Sequence, residues 1–205
     1  MRRFDFILRN FILRSFCVIL IFILLMGCSA SHSKRYFQLY MLPDENMPLA
    51  KIPKTLLVQT VETDTAYDDY RIVYKISPYE LNYYAYEFWV KNPGGVIRDA
   101  ICDFLSRAGA FDRVIKTFSE ANPDYILEAV VDVIEEYDFP DRWFAHLKMS
   151  IKIKDFLTNE TILVHRFDRM EKLTEKKVDK VPIGISTILE EELVILITHL
   201  EEKIK

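Results

Sequence analysis

The run YRIVYKISPYELNYYAYEFW, Tyr70–Trp89, decides how the chain is read. It holds two β-type segments, Arg71–Lys75 and Leu81–Phe88, parted at Ser77-Pro78. β-Branched and aromatic side chains favour strands, and a Ser-Pro pair favours a turn. A run this aromatic and this free of glycine suits a half-buried sheet surface with its polar tips left wet. It offers no nucleophile beside a base and no cluster of metal ligands. Aromatic side chains are enriched at interfaces. Some of Tyr79, Tyr83, Tyr84, Tyr86 and Trp89 are therefore expected to stay exposed and to contact a partner protein or acyl chains.

Upstream of this run, Asp64–Asp69 is an acidic loop and Thr55–Thr63 a strand. Leu56, Leu57, Val58 and Val61 are too continuous for clean alternation, which places that strand in the middle of a sheet. Arg35–Leu42 reads as the first strand, ended by Pro43-Asp44. Downstream, Asn92 and Pro93 open a helix as its N-cap and first turn. Val96, Ile97, Ala100, Ile101, Phe104, Leu105 and Ala108 form one apolar stripe, and Gly109 ends it. Gly94-Gly95 lacks the context of a phosphate-binding loop, since neither GxGxxG nor GxxxxGK[ST] is present.

Tyr125–Tyr137 and Ala145–Ile153 form the clearest hairpin, turned at Phe139–Arg142, after a short strand at Arg113–Lys116. Alternation sends Leu127, Ala129, Val131 and Val133 inwards, and Glu128, Asp132 and Glu136 outwards. In the second arm Leu147, Met149, Ile151 and Ile153 face the core, while His146, Lys148 and Lys152 face water. The expected register sets Glu136 against Lys148 and Asp132 against Lys152, a charge-paired sheet face. Thr161–Asp168 is the last strand and Asp168–Lys180 a charged loop. A final helix, about Pro182–Lys203, buries Ile185, Ile188, Leu189, Leu193, Leu196, Ile197 and Leu200. Val194 and Ile195 fall outside that stripe, as ordinary exposed residues or as part of a subunit contact, the second being the preferred reading. The order implies an α+β fold: a mixed, largely antiparallel sheet with two main helices on one face.

The first residues carry a different message. Arg2, Arg3, Arg9 and Arg14 precede an apolar run, Phe16–Met26, of 11 residues. That is too short to span a bilayer, which takes about 20 residues, and right for a signal-peptide core. It ends in Leu25-Met26-Gly27-Cys28, which resembles the lipobox of bacterial lipoproteins. The expected organisation is a signal peptide at 1–27, a lipidated tether at 28–34 and one domain at 35–205. Cys28 then takes a diacylglyceryl group and an acyl chain such as palmitate, which makes a firm anchor, since one chain alone binds only marginally. Ser29 in place of Asp directs such a lipoprotein to the outer membrane, with the domain on its periplasmic face, the inner membrane being the alternative. The tether Ser29–Lys34 reaches about 20 Å at most, so the domain stays close to its membrane. Cys17 leaves with the signal peptide, so Cys102 has no intramolecular partner and reads as a buried thiol.

From Cys28 onward the chain carries 23 basic and 30 acidic side chains. That balance excludes a nucleic-acid backbone as partner and argues against a polybasic membrane patch. His32, His146, His165 and His199 have no metal-ligand spacing, and no GxSxG or SxxK nucleophile occurs. Ser77 has no nearby histidine to act as its base. No catalytic, cofactor-binding or metal-binding residue is therefore assigned, and no cofactor is expected.

Tyr74, Lys75, Ser77, Pro78, Leu81, Tyr84, Tyr86 and Trp89, followed by Ala108, Gly109 and Phe111, make a long ordered pattern. In it the chain resembles the ABC-type transport auxiliary lipoprotein component family, from about Arg35 to Ile204. The resemblance implies a non-enzymatic accessory lipoprotein of systems that move lipids or other hydrophobic solutes between two membranes. In these, an ABC ATPase and permease work with mammalian-cell-entry (MCE) domain proteins. For members similar to paraquat-inducible protein C the resemblance implies a place at the outer membrane where they receive or dock the conduit, with ring-forming homo-oligomers as a further expectation. The residues alone leave a second class open, a structural or regulatory envelope lipoprotein that activates cell-wall synthesis or supports outer-membrane assembly.

Overall fold

The computed structural model describes residues 33–44, 49, 51–140 and 142–205. The signal peptide and lipobox, with Cys28 and Ser29, lie outside the described residues. Within Lys34–Lys205 the longest strands are β7 (Tyr125–Phe139) and β8 (Arg142–Asp155), an antiparallel pair in which Phe139 stands opposite Arg142. β9 (Thr161–Lys172) lies antiparallel beyond β8. Along the other edge of β7, three short strands follow one another. β2 (Ile52–Val58) pairs at Tyr125–Leu127, β3 (Glu62–Thr63) at Val130–Val131, and β4 (Arg71–Ser77) at Glu136–Tyr137. All three run parallel to β7. β6 (Phe111–Ile115) flanks β2 in parallel, β5 (Glu80–Trp89) flanks β4 antiparallel, and β1 (Arg35–Phe37) pairs with β5 in parallel. The sheet is mixed, with its longest ladders antiparallel, as the sequence implies.

Two helices cover one face. α1 (Pro93–Arg107) packs on β2, β3, β6 and β7; α2 (Lys180–Ile204) packs on β8, β9 and β7. The Asn92 side chain accepts from the Gly95 N–H and caps α1. Gly109 adopts φ +63° past its end, a conformation that costs glycine little. Both apolar stripes meet in one core, where Ile97, Ile101, Phe104 and Leu105 join Ile185, Leu189, Leu193 and Leu196. Each such side chain contributes roughly 1.5–3 kcal/mol when fully buried. Cys102 is buried in α1, and burial pushes its thiol pKa up to about 11. Val194 is partly buried against the core and Ile195 is exposed.

Four expectations are corrected. The first strand stops at Phe37, although Leu39 and Met41 beyond it are buried. The Thr55–Thr63 strand is two strands, broken after Val58. β9 continues through Asp168 to Lys172, so the charged loop begins only at Leu173. The largest correction is the hairpin register. A β-bulge at Asp132 separates Val131↔Met149 from Val133↔Lys148. Before the bulge odd-numbered residues face the helices; after it Ile134 and Glu136 do, opposite Leu147 and Ala145. Glu136 thus lies on the core face, not against Lys148. Glu128, rather than Asp132, stands opposite Lys152 and accepts from Lys154 Nζ at 2.7 Å. His146 and Glu135 pair on the other face, and both are buried.

Helix α1 meets the sheet without a side chain between them at Gly94. A Cβ there would lie 2.2 Å from the Val61 carbonyl oxygen and 2.9 Å from Thr63 Oγ1. Because the obstacle is backbone, Gly94→Ala should destabilise the domain by about 1–3 kcal/mol, as overpacking does. Urea unfolding of both proteins measures this, and equal stability would show that α1 can lift off β3 freely.

Candidate functional site

The aromatic run contributes its side chains to very different surroundings. Trp89 is 1% exposed and belongs to the core, which corrects its assignment as a contact residue. Tyr84 is half-buried, tilts against Tyr74 at 4.6 Å between ring centres, and donates to Glu136 Oε2 at 2.9 Å. Tyr83 donates to the Ala66 carbonyl at 2.9 Å, and the Arg71 guanidinium lies over its ring. Tyr86 and Tyr79 stay exposed, at 44% and 96%. Tyr79 stands in the turn between β4 and β5, away from the ring-stacked centre of the strands. The five residues therefore do not converge on one site.

What does converge is polar, and alternation alone did not reveal it. Glu135 and Glu136 are adjacent on β7 and so point to opposite faces. Both are 1% exposed. On the helix face, Glu136 accepts from Tyr84 Oη and from the Trp143 indole N–H. Burial outweighs these bonds and holds its carboxyl above the usual carboxylate range. On the far face, Glu135 accepts from Tyr67 Oη at 2.6 Å and pairs with Lys75 Nζ at 3.1 Å. The backbone explains why Tyr67 is there: the Asp64 carboxylate accepts from the Ala66 N–H, and the Asp64 carbonyl from the Tyr67 N–H. That turn folds the acidic loop over the sheet and tucks Tyr67 beneath it.

His146 completes this far-face cluster. Its Nδ1 lies 3.1 Å from Glu135 Oε1 and its Nε2 2.8 Å from Asp168 Oδ1. Two carboxylates can only accept, so both ring nitrogens donate and the imidazole is doubly protonated. Burial works against that charge, but the hydrogen bonds to Glu135 and Asp168 win, and the pKa of His146 rises above its ordinary value. The bond from His146 lowers Asp168 in return. Glu135 is desolvated yet also lowered, because His146, Tyr67 and Lys75 all bond its charged form.

This arrangement fits a structural clamp rather than an acid/base centre. The two buried carboxylates face opposite sides of the sheet and cannot share a substrate. His146 has no free nitrogen with which to accept a proton. Its bonds tie three strands, β7, β8 and β9, and Tyr67 adds the loop before β4. A second clamp joins the far end of the sheet to α2: Glu192, 4% exposed, accepts from Arg169 Nη1 at 2.8 Å and meets His165 Nε2 at 2.7 Å. The one sequence signal that could have found these groups was their type, carboxylates and a histidine among apolar strand neighbours.

The family model of ABC-type transport auxiliary lipoprotein components matches residues 37–191. The chain belongs to that family, whose members are auxiliary components of transport systems in the cell envelope. Among curated proteins none matches. A crystal structure of a Xanthomonas campestris protein is 16% identical, covering 80% of this chain and 92% of that one, with a TM-score of 0.69. A second crystal structure, of an uncharacterized protein, is 14% identical over 82% of this chain and 99% of that one, with a TM-score of 0.64. At these identities the likeness is one of fold. Among the described residues no helix is long and apolar enough to cross a membrane.

The clamp sets a pH dependence whose sign is determined. His146 is raised, so its contribution is complete below its unfolded pKa and fades as pH rises through the folded value. Glu135 and Asp168 are lowered, so theirs is complete above their unfolded pKa values and fades as pH falls. The stability gap between the wild type and His146→Gln should be widest near about pH 5–6 and narrow towards about pH 8. Denaturant unfolding of both across that range tests this, and a gap that widens with rising pH would contradict the imidazolium assignment.

Proposed function

We propose that this protein is a non-enzymatic lipoprotein of the outer membrane that serves as an accessory component of an ABC/MCE-type system. That system would carry lipids or hydrophobic solutes between the inner and outer membranes. Cys28 is the acylated residue, and Ser29 is the sorting signal for the periplasmic face of the outer membrane. The partners are an MCE-domain protein and the ABC permease and ATPase, met by one copy of the domain or by a homo-oligomer. The observation that carries the reading is the family match over residues 37–191, which takes in every strand from β2 to β9 and both helices as far as Glu191. The closed polar clusters support it, because they use their titratable groups to hold strands together.

Of the five aromatic residues first singled out, Tyr86 and Tyr79 keep enough exposed ring to contact a partner or a lipid. Trp89, Tyr83 and Tyr84 act through the scaffold. A Tyr79→Ala variant therefore separates contact from folding better than any change at Trp89.

The test is affinity capture of the full-length acylated protein from detergent-solubilised envelopes, with mass spectrometry of co-purifying proteins and lipids. An MCE-domain protein or its permease should be recovered, with phospholipid, and Tyr79→Ala should lower that recovery while leaving thermal unfolding unchanged. Recovery of cell-wall synthases or assembly factors, with no transporter subunit, would overturn the transport reading in favour of the structural class.

A further inference from the structure

The directions of the strands place three features at one end of the sheet and bring the chain into β1 from that side. The β7–β8 turn defines that end, with Phe139 and Arg142 on either side of it. β4 runs parallel to β7 and pairs Lys75 with Tyr137, so the β4–β5 turn bearing Tyr79 lies at the same end. β9 pairs Lys172 with Phe144, so the chain leaves β9 there and passes through Leu173–Asp179 into α2. β1 is parallel to β5 and thus runs away from this end, so the chain reaches Arg35 from the side of the turns.

Chain length turns this geometry into a constraint. Arg35 stands opposite Glu87, beside the Arg71↔Phe88 pair of β4 and β5, and Tyr74 stands opposite Glu136. Arg35 therefore lies about five strand residues, roughly 17 Å, short of the β7–β8 turn. The six residues Ser29–Lys34 span at most about 20 Å. A tether that continues the direction of β1 covers that distance, so an acyl group on Cys28 can enter a bilayer that rests against this end of the sheet.

The side chains at that end suit such a surface. Tyr79 is 96% exposed, Ile76 52% and Phe139 42%. Phe139 packs on Tyr137 at 4.3 Å between ring centres, and with Pro140, Phe144, Met170 and the one charged neighbour Arg142 it lines an open, mostly apolar groove of about 410 Å³. The charges do not form a polybasic patch. Lys176 is paired with Asp138 and Lys177 with Glu175, while Glu80, Glu171 and Asp179 offset Arg142, Lys172 and Lys180. The acidity of the whole chain and the balance at this end both point to contact through rings.

We propose that the end of the sheet carrying Tyr79, Phe139 and Pro140 is the membrane-contacting face, its rings seated at the phospholipid headgroup level. This rests on the lipoprotein reading, from which it takes the acyl group on Cys28. Aromatic rings prefer that level of a bilayer. The opposite end, with Leu157 at 89% exposure in the β8–β9 turn, then points into the aqueous compartment.

The test uses full-length acylated protein in vesicles of phosphatidylethanolamine and phosphatidylglycerol with brominated acyl chains. Trp is placed in turn by Phe139→Trp, Tyr79→Trp and Leu157→Trp, and the wild type supplies the background of Trp89 and Trp143. A ring lying roughly 5–10 Å into the interface should be quenched about threefold or more beyond one in water. Residues 139 and 79 should be quenched to that extent relative to 157, with little change in high salt. Quenching at 157 equal to or above that at 139 and 79 would overturn the orientation. If Phe139→Trp perturbs folding, seen as a red shift of the buried tryptophans, the fully exposed position 79 decides the matter alone. Intact mass is measured on the same sample: an unmodified Cys28 would bring down the anchor reading and this one with it, whereas an acylated Cys28 with no quenching at 79 or 139 would overturn this inference alone.

Discussion

Strand β7 is bonded along both edges, and this constraint places the rest of the molecule. One edge is met by a single long partner, β8, and the other by β2, β3 and β4 in succession. A fifteen-residue strand cannot alternate faithfully over its whole length if both a helix layer and a covering loop are to be satisfied. The bulge at Asp132 resolves the conflict. It exchanges which residues face the helices, so that the first half of β7 offers Leu127, Ala129 and Val131 to the core and the second half offers Ile134 and Glu136. A bulge of this kind also increases local twist, which suits an edge that changes partners from β2 to β3 to β4.

The same exchange explains the buried charges. Without it Glu135 and Glu136 would have kept the faces that plain alternation assigns them. With it, one carboxylate enters the core margin beneath Trp143 and the other lies under Tyr67. A buried carboxylate without partners costs several kcal/mol, and both have partners: Tyr84 and Trp143 for Glu136, and Tyr67, Lys75 and His146 for Glu135. The residues that answer the charge come from β4, β5, β8 and the Asp64–Tyr70 loop. Each cluster therefore forms only when distant segments are all in place, which makes these groups fixers of strand order as much as sources of stability.

The aromatic run Tyr70–Trp89, both helices and the hairpin could be read from the sequence because each is written in local pattern. The turn at Ser77-Pro78, the Asn92 cap and Gly109 stand where local chemistry puts them. The parallel pairing of β2, β3 and β4 with β7 was not legible, since nothing local states which strand lies beside which. Nor was the bulge: Asp132 looks like one more outward acid in an alternating strand. The polar clusters were lost with it, because a register displaced by one residue moves every later side chain to the other face. Cys28 and Ser29 are a different case, since their meaning lies in processing chemistry that motif and composition convey and that folding does not test.

The exposure of the aromatic side chains follows from where each sits along the sheet. In mid-strand the rings of Tyr74, Tyr83 and Tyr84 are held by neighbours, because β4 and β5 are flanked by β7, β1 and the Asp64–Tyr70 loop. At the turns no layer remains to cover them, so Tyr79 and Phe139 keep open faces. Both of these exposed turn rings lie at the end from which the chain reaches β1. On the proposed reading the part of this domain in transport is positional: the six residues Ser29–Lys34 keep it within about 20 Å of its membrane, and a partner arriving from the aqueous side meets the opposite end of the sheet.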